Sequence, residues 1–74
     1  MTLYELANNT SVQGNIDVCL FRGEEEVNCK TFDHVDDLSL YLSELPEGWE
    51  DLDVGYIFVD GDGYLHIEIW EEEE

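Results

Sequence analysis

Apolar and polar residues alternate from Asn15 to Arg22, with Ile16, Val18 and Leu20 on one face and Asp17, Cys19 and Phe21 on the other. A period of two marks a strand covered on one side. A second alternating run, Glu25 to Phe32, groups Val27, Cys29 and Thr31. Gly23-Glu24 between the runs suits a two-residue hairpin turn. In that register Leu20 faces Val27, Val18 faces Cys29 and Ile16 faces Thr31, while Asp17 meets Lys30 and Arg22 meets Glu25. A three-residue turn would align Cys19 with Cys29 but scatter the aliphatic face. The expectation is therefore two free thiols and no disulfide.

Beyond Asp33, a suitable N-cap, the period lengthens to about 3.6. Val35, Leu38, Leu42 and Leu45 fall on one stripe that Tyr41 widens, and Asp36, Asp37, Ser39, Ser43 and Glu44 take the other side. This spacing predicts an amphipathic α-helix, ended by Pro46. Near the N-terminus, Thr2 and Glu5 have the spacing of a capping box for a short helix that the run Asn8 to Ser11 stops.

Residues 53–59 and 64–70 flank Asp60-Gly61-Asp62-Gly63 and predict a second hairpin. Pairing across Gly61-Asp62 sets Phe58 by Leu65, Tyr56 by Ile67 and Val54 by Ile69, all apolar. The reverse face carries Gly55, Ile57, Val59, Tyr64, His66, Glu68 and Trp70. It is more apolar than a solvated face requires, so Ile57, Val59, Tyr64 and Trp70 are expected to meet a partner, a second copy being the simplest. The elements run α-β-β-α-β-β. They predict an α+β domain over residues 1–70, with an antiparallel four-stranded sheet of two hairpins in the order 2-1-3-4 and one main helix on one face. Glu71 to Glu74 are read as a solvated acidic tail.

Length and charge narrow the function. The chain has 74 residues, with 20 Asp or Glu against two Lys or Arg and a formal net charge of −18 at pH 7. That length holds one small core and leaves no room for separate substrate and cofactor domains. So many acids favour disorder, but 43% apolar and 12% aromatic content set in periodic patterns favours a folded domain. Self-repulsion opposes that fold, and its stability is expected to rise with salt. No apolar run reaches the roughly 18 residues needed to cross a bilayer, and the segment Met1 to Asn9 lacks the basic and apolar regions of a signal peptide. The expected setting is the cytoplasm, with no membrane partner.

Candidate chemistry is sparse. Counting an EF-hand loop from Asp60 puts Tyr64 and Leu65 where an acid and a glycine are required, so the turn is not a calcium loop. His34 beside Asp33, Asp36 and Asp37 offers one imidazole, a poor zinc site. The best catalytic set is Cys19, His66 and Glu68, three outward residues of the sheet of a kind that arise by chance. The expectation is no enzyme, no cofactor and no metal.

Charge is the exceptional feature. A folded chain of this length is roughly 30 Å across, and that length of duplex carries roughly 18 phosphates. Carboxylates at i and i+4 of a helix lie about 5–6 Å apart, and alternate residues of a strand about 6.6 Å apart. Either element can present charge at nucleic-acid-like spacing. The candidate surface comprises Asp36, Asp37, Glu44, Glu47, Glu50 and Asp51 with Glu24, Glu25 and Glu26, and its expected partner is a basic, nucleic-acid-handling protein. Direct nucleic-acid binding is disfavoured, because only Arg22 and Lys30 could neutralise phosphate. The segments Met1 to Leu6, Val12 to Asn15 and Gly61 to Leu65 resemble those of small proteins encoded by Gram-positive bacteria and their phages or mobile elements. In acidity and size the chain is also similar to DNA-mimic inhibitors, including anti-restriction and anti-CRISPR proteins, a likeness that implies inhibition by charge mimicry and carries over no functional residue.

Overall fold

A computed structural model describes residues 1–71. Helix α1 spans Leu3–Asn9, strands β1 and β2 span Gly14–Arg22 and Glu25–Val35, and two short 3₁₀ helices span Leu38–Glu44 and Trp49–Asp51. Strands β3 and β4 span Asp53–Val59 and Leu65–Glu71. The capping box forms at the start of α1: the Glu5 amide donates to Thr2 Oγ1 at 3.2 Å, and the Thr2 amide donates to Glu5 Oε1 at 3.1 Å.

The first hairpin turns at Gly23-Glu24, with Arg22 opposite Glu25 and Phe21 opposite Glu26. A bulge at Val27 then shifts every later pair by one residue. Leu20 faces Asn28, Val18 faces Lys30 and Ile16 faces Phe32, in place of the aliphatic matches predicted above. Cys19 falls opposite Cys29, and the two are joined in a disulfide with their Cα atoms 4.1 Å apart. The expectation of free thiols is therefore corrected. The physical reason is that β2 is an uncovered edge: Val27 is 47% exposed, so no burial energy held it opposite Leu20. Asp17 correspondingly accepts from the Thr31 hydroxyl instead of pairing with Lys30.

The predicted α-helix is also corrected. Strand β2 runs on to Val35, which pairs with Gly14, so Asp33 lies inside a strand and does not cap a helix. A second irregularity sets Asp33 and His34 against Asn15. His34 adopts φ +57°, and its amide donates to Asn15 Oδ1 at 3.0 Å. Few residues then remain before Pro46, and the residue preceding a proline is kept out of the α region. The chain takes the tighter 3₁₀ form over Leu38–Glu44. Its cap is Asp37, whose carboxylate accepts from the Ser39 amide and hydroxyl at 3.1 and 2.9 Å.

The sheet order is β2-β1-β4-β3, with β1 and β4 parallel, so the sheet is mixed where an antiparallel 2-1-3-4 arrangement was expected. Strand β4 takes the central place because its inner face is continuous: Ile67 and Ile69 are fully buried. Strand β3 is broken by Gly55 and stands at the edge. An ideal Cβ on Gly55 would overlap the Trp70 indole, which lies across that backbone, and the pairing of β3 with β4 slips there. The turn of this hairpin encloses three residues, Gly61 to Gly63, closed by the Asp60 amide donating to the Tyr64 carbonyl at 2.9 Å with Gly63 at φ +84°. One extra loop residue pairs Val59 with Leu65, Ile57 with Ile67 and Phe58 with His66. Only the predicted Val54–Ile69 pair survives, beyond the slip at Gly55.

The core lies between the inner sheet face and a single layer made of α1 and the two 3₁₀ helices. Ile16, Val18, Leu20, Ile67 and Ile69 meet Leu3, Ala7, Val12, Leu38, Leu42, Leu45 and Trp49. Among the described residues no charged side chain is buried. The radius of gyration is 11.4 Å and the molecule measures 35 × 26 × 19 Å.

Candidate functional site

Strand register distributes the acids. Glu24, Glu25 and Glu26 lie at the tip of the β1–β2 hairpin, the same end of the sheet as Glu71 at the close of β4 and Asp53 at the start of β3. Glu47, Glu50 and Asp51 lead into β3 and belong to this end. Trp70 and Leu52 line a shallow cleft of about 340 Å³ there with the carboxylates of Asp51, Asp53 and Glu71. Asp36 and Asp37 follow Val35 at the opposite end, where Asp33, Asp60 and Asp62 also lie. Glu44 closes the first 3₁₀ helix. Eight of the nine predicted partner-binding acids are thus split between two ends, six at one and two at the other, and Asp37 is committed to its cap. Glu71, expected in a solvated tail, is a strand residue whose carboxylate binds Arg22 at 2.9 Å. Residues 72–74 of that expected tail lie outside the described residues.

The four residues expected to share an apolar outer face do not share one. Ile57 and Val59 turn to the inner side of the sheet, opposite Ile67 and Leu65, where the helical layer does not reach them; they are 44% and 66% exposed. Trp70 stays on the outer face between Phe21 and Tyr56, with ring centroids 5.7 and 6.3 Å away. Tyr64 precedes β4 and donates its hydroxyl to Asp33 Oδ1 at 2.7 Å. That bond favours the neutral phenol and raises its pKa above the ordinary tyrosine value.

The most organised group on the outer face was not singled out from the sequence. His66 of β4 lies beside Asp17 of β1 in the parallel pairing, and the turn brings Asp60 over it. His66 Nε2 is 2.9 Å from Asp60 Oδ2 and 3.2 Å from Asp17 Oδ2, and all three side chains are largely shielded. The Phe58 ring stacks on the imidazole at 5.0 Å with 3° between planes. Asp60 Oδ1 accepts from the amides of Tyr64 at 3.0 Å and Asp62 at 2.8 Å. Its pKa is lowered chiefly by the Tyr64 amide, against a smaller opposing effect of desolvation. The Asp60–His66 spacing across a turn was a legible signal. Asp17 could join them only through a parallel β1–β4 pairing.

Cys19, His66 and Glu68 do project to one face, with Cys19 Sγ 3.9 Å from His66 Nδ1. Cys19 is bonded to Cys29, so it has no thiol to ionise for attack. No described helix is long and apolar enough to cross a membrane. Compared with protein-family models, curated proteins and solved structures, the chain matches none.

Proposed function

We propose that this chain is a non-catalytic acidic protein that occupies the cationic cleft of a nucleic-acid-handling protein in place of nucleic acid, and so inhibits it. The observation that supports this reading is the grouping of acids at both ends of the sheet in a molecule 35 Å long. A duplex of that length bears about 20 phosphates, and the full sequence has 20 acids, three of them, Glu72 to Glu74, outside the described residues. The short dimensions, 26 and 19 Å, are those of a rod a groove can grip. Glu24, Glu25, Glu26, Glu47, Glu50 and Asp51 form one charged end and Asp36 and Asp37 belong to the other, so a partner reads both ends at once. The Cys19–Cys29 disulfide stands against the cytoplasm expected from the sequence, because the cytoplasmic thiol pool favours reduced cysteines.

Immobilised protein exposed to a host lysate at low salt is expected to retain a basic protein that elutes along a rising salt gradient and is displaced by added duplex DNA or RNA. Retention that ignores ionic strength, or that nucleic acid fails to compete, overturns the proposal.

A second reading is a self-associating interaction module. It is favoured by Tyr56, Ile57, Phe58 and Val59, all exposed on the open edge of β3. Residues Met1 and Thr2 pair only with the beginning of that strand, through the Val54 amide donating to the Met1 carbonyl at 2.8 Å and a Thr2–Asp53 bridge. Residues 54–59 carry no charge, which leaves an edge open to strand addition. Sedimentation equilibrium showing a dimer that tightens as salt screens the net charge is the expected result of this reading; a monomer at all salt concentrations removes it.

A further inference from the structure

We infer that Asp17, Asp60 and His66 form a binding site for one divalent first-row metal ion of the zinc or manganese class. The inference goes beyond the proposed inhibition and does not depend on it.

Two carboxylate oxygens converge on a single imidazole nitrogen, at 2.9 and 3.2 Å from Nε2. A neutral imidazole has one N–H to give, and only when the proton is on that nitrogen, so one proton cannot serve both oxygens equally. A cation with several empty positions can. Donors around an ion with bonds of about 2.1 Å lie about 3 Å apart at right angles and about 3.4 Å apart at tetrahedral angles, close to the 2.9 and 3.2 Å found from Nε2 to the two oxygens. One oxygen of each carboxylate and a nitrogen of the imidazole all lie within 4.8 Å of one another.

The surroundings hold each donor in place. Asp17 uses its other oxygen to accept from the Thr31 hydroxyl, and Asp60 uses its other oxygen to accept from the Asp62 and Tyr64 amides. Each carboxylate therefore keeps one oxygen for the shared point, the arrangement of outer contacts that orients metal ligands. Phe58 fixes the plane of the imidazole. With His66 neutral the two carboxylates supply two negative charges, which a divalent ion cancels. The side chains are 17–25% exposed, which leaves the remaining coordination positions facing water. One imidazole with two carboxylates suits zinc or manganese; calcium prefers oxygen ligands alone, and magnesium gives up its water reluctantly.

The test is a titration of isotopically labelled protein with zinc chloride, in excess magnesium to occupy the diffuse acidic surface. Saturation is expected at one equivalent, with the His66 Nε2 resonance shifted and that of His34 unmoved. Asp60→Asn and Thr31→Val are expected to weaken zinc by about tenfold or more, whereas Asp36→Asn leaves it unchanged. The amide spectrum of each variant reports whether it is folded, and the wild-type His66 shift stands apart from all of them. Zinc that perturbs both imidazoles alike without saturating at one equivalent, or that binds a folded Asp60→Asn variant with unchanged affinity, overturns the inference and leaves an ordinary ion pair of histidine with two aspartates.

Discussion

Reduction of the Cys19–Cys29 bond is expected to lower the free energy of unfolding by about 2.5–3 kcal/mol, as is the double substitution Cys19→Ser with Cys29→Ser. The two cysteines are ten residues apart, and cross-linking a loop slightly shorter than 15 residues removes that much conformational freedom from the unfolded chain. For a domain of this size the total stability is only about 4–11 kcal/mol, so the bond is a large part of it. The melting temperature should fall by roughly 10–20 °C. Circular dichroism melts with and without reductant check this, and identical melts would show that the bond contributes nothing. Added salt should recover part of the loss, because the unfolded chain spreads its charge while the folded one concentrates it.

Leu38→Ala is expected to cost about 3–4 kcal/mol, and Leu40→Ala less than about 0.5 kcal/mol. Both leucines lie in the same 3₁₀ helix, two residues apart, but Leu38 is fully buried and Leu40 is 70% exposed. The Leu38 amide also donates to the Val12 carbonyl at 3.0 Å, tying this helix to the segment that enters β1. Truncating Leu38 opens a cavity beneath the helical layer that covers the sheet. Urea unfolding of the two variants separates them. Equal midpoints would mean that the 3₁₀ segment does not roof the core.

The contrast between those leucines also shows how pattern and conformation part company. Val35, Leu38, Leu42 and Leu45 form a sequence stripe, and all four are buried. Yet the stripe is not one α-helix: Val35 ends a strand, Leu38 and Leu42 sit in a 3₁₀ helix, and Leu45 follows it. Periodicity reports which side chains face the sheet, and several backbone paths satisfy that demand over ten residues. The choice went to the path that let β2 pair with β1 as far as Gly14. Local propensity could not weigh those long-range hydrogen bonds.

The candidate sites follow the same division. The acids are legible as residues, and their solvation is a direct consequence of charge. Their grouping at two ends depends on where each strand starts and stops. The Asp17, Asp60 and His66 group depends on more, since Asp17 and His66 meet only because β1 and β4 run parallel at the centre of the sheet.

The amino-acid sequence alone determined that there is a folded α+β domain, that the two hairpins turn near Gly23 and Gly61, that Thr2 caps the first helix and that the stripes Ile16-Val18-Leu20 and Val35-Leu38-Leu42-Leu45 are buried. These follow from local geometry and the cost of exposing apolar surface. Only the tertiary structure decided the bulges, the disulfide, the parallel central pair and the convergence on His66. A one-residue slip at an uncovered edge changes almost no buried area and yet exchanges the partner of every residue beyond it. Its outcome is set by the whole sheet rather than by either strand.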